Sequence, residues 1–109
     1  MHELGITQNI VHIVAERAGA QKVSRVKLEI GKLSAIMPDA IRFCFDLCAQ
    51  GTGLEGAVLE IDEIPGRGRC TGCGEEMQLS LMAGTCQCGC RDITCLAGQE
   101  LNIKEMEVV

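Results

Sequence analysis

The feature that most constrains this 109-residue chain is its cysteine segment, Cys70-Thr71-Gly72-Cys73-Gly74 followed by Cys86-Gln87-Cys88-Gly89-Cys90. From Gly66 to about Cys95 the chain is rich in Gly and Cys and poor in large apolar residues, so this stretch needs a metal staple to order it. Two residues between Cys70 and Cys73 let both thiolates reach one ion. The glycine that follows permits a turn aiming backbone N–H groups at sulfur. The second half contains no C-x-x-C, so three cysteines compete for two coordination positions. Cys88 is the best supported, because Gly89 follows it as Gly74 follows Cys73; Cys86 is selected as the fourth ligand, with Cys90 the alternative. Four thiolates saturate tetrahedral Zn2+ and leave no open position for a substrate, which points to a structural site.

The formal charge of −5 argues against nucleic acid as the main partner, since phosphate neutralisation needs surplus Lys and Arg. Residues 66–95 hold three Arg against two Glu and one Asp, with no aromatic for base stacking. No apolar run reaches the roughly 18 residues of a membrane span, and the start lacks the pattern of a secretory signal. A cytoplasmic location is expected, where thiols stay reduced. Eight cysteines there point to metal or redox chemistry before disulfides.

The flanking sequence reads as α+β: two helices packed on a three-stranded sheet, with a zinc-ribbon-like domain inserted before the last strand. Residues 1–65 and 97–109 form the α/β body in this reading, and residues 66–96 the insert. Leu4, Val11, Val14 and Ala18, with Ile10 beside them, recur at helical spacing over Glu3 to Ala18, and Gly19 is a plausible stop. His12 faces away from that stripe and reads as a surface residue. Val26, Leu28 and Ile30 alternate with Arg25, Lys27 and Glu29, a strand with one buried face. Pro38 suits the first residue of a second helix, whose stripe is Ile41, Cys44, Phe45 and Cys48. Leu59 and Ile61 mark a second strand over Ala57 to Ile64. A last strand, Glu100 to Val108, places Leu101 and Ile103 on one face. Cys44, Cys48 and Cys95 fit no ligand motif and read as small core residues.

The first residues carry a second possible metal site. At a free start, the α-amine, the His2 backbone nitrogen and the imidazole can converge on one ion, with Glu3 adding a nitrogen or its carboxylate. A nitrogen-rich, roughly planar donor set suits Ni2+ or Cu2+ better than Zn2+. A His at position two can equally be an ordinary solvated terminus.

Taken together, MHELGITQNI, VKLEIGKLSAIMPDAIRFCFD, QGTGLEGAVLEIDEIP, CTGCG and GQELNIKEMEV resemble the HypA/HybF family of hydrogenase nickel-incorporation proteins over essentially the whole chain. The resemblance implies a nickel metallochaperone, not an enzyme, with Ni2+ cargo bound by Met1, His2 and Glu3 and a structural Zn2+ in the insert. It implies delivery to the [NiFe]-hydrogenase large subunit with a HypB-like GTPase, and in some members to urease accessory proteins. The family usually shows C-P-x-C-G at the second cysteine pair. Alignment on Gly98-Gln99-Glu100 puts Cys88 on the fourth ligand position and Thr85 on the third, so Cys86 substitutes through a one-residue contraction. The rival readings are a zinc-stapled adaptor without nickel delivery and a thiol oxidoreductase using Cys70 and Cys73.

Overall fold

A computed structural model describes residues 2–81 and 84–109, apart from the side chain of His2. The elements run α1 (His2–Ala18), β1 (Val23–Gly31), α2 (Pro38–Ala49), β2 (Val58–Ile64), β3 (Gly66–Cys70), β4 (Glu76–Leu79), β5 (Ile93–Ala97) and β6 (Leu101–Val108). Two three-stranded sheets result, ordered β2-β1-β6 and β4-β3-β5. The chain divides into two compact units. One holds Met1–Glu29, Ile36–Asp62 and Asn102–Val109; the other holds Ile30–Ala35 and Glu63–Leu101.

In the first unit, α1 buries Ile10, Val11, Val14 and Ala18, as its helical spacing predicts. Leu4 is the exception: it is exposed, and Thr7 occupies a fully buried position on this helix. Its hydroxyl donates to the Glu3 carbonyl at 2.6 Å, one turn back, so the buried polar atom is satisfied locally. Gly19 ends the helix at φ +61°, its N–H donating to the Ala15 carbonyl. Pro38 opens α2, where its missing N–H would have found no helical partner.

The core face of α2 is Ile41, Phe45 and Ala49, spaced i, i+4 and i+8. Cys44 and Cys48 sit on its flank, half-buried, and Cys95 is half-buried in the second unit, so none of the three is a core residue. Val26, Leu28 and Ile30 of β1 are buried as their alternation requires, and Val23, out of phase at the start of the strand, is buried as well.

The outer row of β1 is charged. Arg25 reaches Glu60 of β2 and both Glu105 and Glu107 of β6, while Lys27 pairs with Asp62 at 3.5 Å. Arg25–Glu60 and Lys27–Asp62 advance in the same direction along both strands, the register of a parallel pair joined through α2. These carboxylates hold the Arg25 guanidinium even more firmly protonated than usual, Glu107 foremost.

Strand β6 departs from simple alternation. Leu101 is exposed, while Ile103 and Met106, three apart, are both half-buried. Lys104, Glu105 and Glu107 all reach the charged row of β1. Two consecutive polar residues thus share one face, the pattern of a β-bulge at Lys104–Glu105.

The second unit is built around glycine. Strand β3 buries Gly66, Gly68 and Cys70 and exposes Arg67 and Arg69. A Cβ on Gly68 would lie 2.5 Å from the Ile93 side chain and 2.8 Å from that of Leu79, so neighbouring side chains fill the space that β3 leaves. Its two antiparallel partners pair Arg69 with Glu76 of β4 and with Thr94 of β5. Arg69 and Arg67 bond the Glu76 carboxylate at 2.8 and 3.3 Å, and these hydrogen bonds, that of Arg69 first, hold the carboxyl below its usual range. At the other end, Gly31 and Gly98 meet so closely that a Cβ on Gly31 would fall 2.0 Å from the Gly98 carbonyl oxygen. The loop after Gly31 joins this unit through Lys32 N–H to Ile64 and Leu33 N–H to Gly98.

Candidate metal centre

Two tight turns present the thiols. In the first, the Gly74 N–H donates to the Cys70 carbonyl at 2.9 Å, with Gly74 at φ +77°. In the second, the Gly89 N–H donates to the Cys86 carbonyl at 2.8 Å, with Gly89 at φ +93°. Both glycines occupy the left-handed region that a side chain disfavours. The first turn closes i+4 to i and the second i+3 to i. The flanking bond contracts in step, from Cys70 N–H to Glu75 in the first to Cys86 N–H to Cys90 in the second. The missing residue of Cys86-Gln87-Cys88 is therefore absorbed by shortening the turn, with the glycine kept in the same role.

The structure brings Cys70, Cys73, Cys86 and Cys88 together, with all four sulfurs within 4.8 Å of one another. The close approaches cross between turns: Cys70 to Cys88 at 3.6 Å and Cys73 to Cys86 at 3.5 Å. Sulfurs about 2.3 Å from a tetrahedral zinc stand roughly 3.8 Å apart, so the spacing fits such an ion. Cys90 stands outside this group. Its Sγ lies 4.0 Å from both Thr71 Oγ1 and the Asp92 carbonyl, and its side chain packs against Gly72.

Backbone donors face the cluster. The Gly72 N–H reaches Cys70 Sγ at 3.3 Å. The Cys70 thiol is pulled down to about 6, chiefly by the Cys73 N–H, with Gly72 and Cys88 assisting against burial. The other three thiols are pushed up. For Cys73 the strongest single influence, the Glu75 N–H, lowers it, but burial and the neighbouring Cys70 and Cys88 outweigh that. For Cys86 the Cys88 N–H lowers, while burial and Cys73 raise. For Cys88 the Cys90 N–H lowers, while Cys86 and Cys70 raise. Four sulfurs at this spacing cannot all be anionic without a cation among them. Cys70 is also fully buried, so its low pKa does not present a nucleophile to solvent.

Of the N-terminal residues, Met1 and the His2 side chain lie outside the described residues. Glu3 stands in the first turn of α1, its carboxyl lowered first by its own backbone N–H. His12 is exposed, 3.1 Å from Glu16 one turn on. Among the described residues no helix is long and apolar enough to cross a membrane.

Comparison with known proteins places this geometry in a family. Two solved structures share the fold. One titled as the solution structure of HypA protein superposes with a TM-score of 0.72 at 22% identity, over 100% of this chain and 97% of its own. That of the Ni metallochaperone HypA from Helicobacter pylori gives 0.67 at 19%, over 98% and 97%. The hydrogenase maturation factor HypA of Nostoc punctiforme is 65% identical over 108 residues, covering 99% of this chain and 96% of the relative. That of Geobacter metallireducens is 48% identical over 109 residues, covering 99% of each. The family profile described as hydrogenase/urease nickel incorporation, metallochaperone, hypA matches residues 1–108, and the chain belongs to that HypA family.

Proposed function

We propose that the chain is a two-metal nickel carrier rather than an enzyme. Cys70, Cys73, Cys86 and Cys88 hold a structural Zn2+ that orders the inserted domain, residues 66–96. Met1, His2 and Glu3 hold Ni2+ as cargo on the α/β domain, residues 1–65 and 97–109. The nickel goes to the large subunit of [NiFe]-hydrogenase in the cytoplasm with the help of a HypB-like GTPase, and urease accessory proteins are the second candidate recipients. One observation carries this reading: the family match runs over residues 1–108, so it takes in the first three residues and the cysteine unit alike.

The two metals have unequal duties on chemical grounds. Four thiolates saturate zinc and leave no vacant position, so a client could reach the ion only by displacing a sulfur. An amine, an imidazole and backbone nitrogen at a chain start can detach one at a time, so a partner can take the ion stepwise. Nitrogen donors in a near-planar set favour Ni2+ over Zn2+. A thiol oxidoreductase would draw support from the lowered Cys70 thiol, but its burial opposes attack on a substrate.

Calorimetric titration of Ni2+ into untagged, zinc-loaded protein and into its His2→Ala variant tests the proposal. Stoichiometric binding that is lost in the variant, at unchanged zinc content, is the expected result. Equal binding by both proteins would remove nickel from the N-terminus and leave the zinc-stapled adaptor.

A further inference from the structure

The cysteine unit places a fifth sulfur, that of Cys90, beside a cluster that needs four. Structural zinc is usually held by cysteine pairs with about two to four residues between them. Cys70 and Cys73 obey that spacing, and so would Cys86 with Cys90, whereas Cys86 and Cys88 have only Gln87 between them. The backbone around Cys90 is tied to both turns. Its carbonyl accepts from the Cys86 N–H at 2.9 Å, and the Asp92 carbonyl accepts from the Thr71 N–H at 3.0 Å and the Thr71 hydroxyl at 2.9 Å. The Cys90 sulfur is held less firmly, by contacts of 4.0 Å to Thr71 Oγ1 and to the Asp92 carbonyl. Gly72 borders both this sulfur and the cluster. A Cβ there would fall 3.3 and 3.4 Å from Cβ and Sγ of Cys90 and 3.6 Å from Sγ of Cys70. Gly72 is not among the glycines of positive φ, so a side chain there would spoil the space between the sulfurs rather than the backbone. Gly89, between Cys88 and Cys90, stands at φ +93° with nothing within 4 Å of where a Cβ would lie.

From this arrangement we propose that Cys90 is a standby ligand: the site exchanges Cys88 for Cys90 while Cys70, Cys73 and Cys86 stay on the ion. The proposal rests on the reading of the four clustered cysteines as a zinc site. Cys88 is the sulfur that leaves, because it is exposed and lies two residues from Cys90, whereas Cys70 and Cys86 are buried. Cys73 is exposed too, but it belongs to the other turn. Cys90 reaches the ion by changing its χ1 rotamer while the loop turns at Gly89, where open space allows it. The bond from Cys90 Sγ to the ion forms as that from Cys88 Sγ breaks. The proton given up by the Cys90 thiol ends on the Cys88 sulfur, so the charge of the site is unchanged. A rigid pair of cysteines leaves a vacancy when it loses one sulfur. Here the ion keeps four sulfurs while the Cys88 thiol is free in solvent.

Loading the untagged full chain with Co2+ tests the proposal, because the thiolate-to-metal charge-transfer absorption grows with each sulfur on the ion. The wild-type chain, Cys90→Ala and Cys88→Ala are all expected to show the four-sulfur spectrum. C88A/C90A should lose about a quarter of the intensity, one sulfur of the four. A C88A spectrum as weak as that of the double variant overturns the standby role and leaves the four-sulfur site standing. A weakened C90A spectrum would make Cys90 a resident ligand and overturns the exchange as well. Fewer than four sulfurs on the wild-type chain overturns the zinc reading together with the proposal. A mutation-free measurement follows the exchange itself: limiting iodoacetamide added to zinc-loaded wild-type chain, read by native mass spectrometry with peptide mapping. Among chains that retain zinc, some should carry the label on Cys88 with Cys90 unmodified, and others the reverse. Label on Cys90 and never on Cys88 in zinc-retaining chains overturns the proposal.

Discussion

The two units hold themselves together by opposite means. The helical unit closes on large side chains: Val14, Val23, Val26, Leu28, Ile41, Phe45 and Leu54 all lie within 2% of complete burial. The cysteine unit buries glycine where the other buries valine, on a strand whose inward residues are Gly66, Gly68 and Cys70. At about 25 cal/mol per Å² of apolar surface, the first arrangement supplies its own driving force. Side-chain-free positions supply little, and four converging thiols are where the deficit would be met. One short chain thus combines a core of large side chains with a glycine-lined strand that carries four converging thiols.

The largest expected effect would separate these two means. Stripping metal with a strong chelator should melt β3, β4 and β5 while the helical unit keeps its structure, read as amide-exchange protection lost over residues 66–97 and retained in α1 and α2. Loss of a structural zinc is worth on the order of 10 kcal/mol in small zinc modules. Equal loss of protection in both units would erase the contrast. The reciprocal change is Phe45→Ala, which should cost about 3–5 kcal/mol in denaturant unfolding, with metal content unchanged.

Smaller effects sharpen the contrast within each unit. Gly74→Ala and Gly89→Ala should each cost roughly 1–2 kcal/mol, because a Cβ strains the left-handed backbone, and a competition assay would read this as weaker metal retention. The mildest test is pH. Glu105 and Glu107 are held below the ordinary carboxylate range by their bonds to Arg25. Their contribution to stability is therefore present above the unfolded-state carboxyl pKa and is lost as pH falls through the lower folded values. Acid unfolding should begin below about pH 4.5 and flatten in Arg25→Met, which removes the partner of both carboxylates.

Much of the helical unit is legible because its residues advertise their faces. Val26, Leu28 and Ile30 announce a strand by alternation, Pro38 marks a helix start, and Gly19 marks a stop. Leu4 misleads because a stripe extrapolated to a helix end ignores the weaker enclosure there. Thr7 hides because a hydroxyl bonded to its own preceding turn can be buried without cost that its type would suggest. β6 hides its face change because period two breaks at Lys104–Glu105. β3 is nearly invisible: its inward positions are glycine, so the hydrophobic alternation that marks a strand is absent while the burial alternation is complete. Cys73 and Cys88 were legible from the Gly74 and Gly89 that follow them, whereas nothing of that kind separated Cys86 from Cys90, and it is the shortened second turn that brings Cys86 to the other three.

The four clustered cysteines differ in exposure. Each turn hides its first cysteine and shows its second: Cys70 and Cys86 are buried, Cys73 and Cys88 exposed. An ion among them would have a sealed back and an open front. Its departure would then be associative, with an incoming ligand attacking from the front and displacing the two outer sulfurs in turn. The rate would depend on the competitor's concentration as well as on equilibrium affinity. Such a site can hold its ion for long periods in dilute solution and still surrender it quickly to a concentrated thiol.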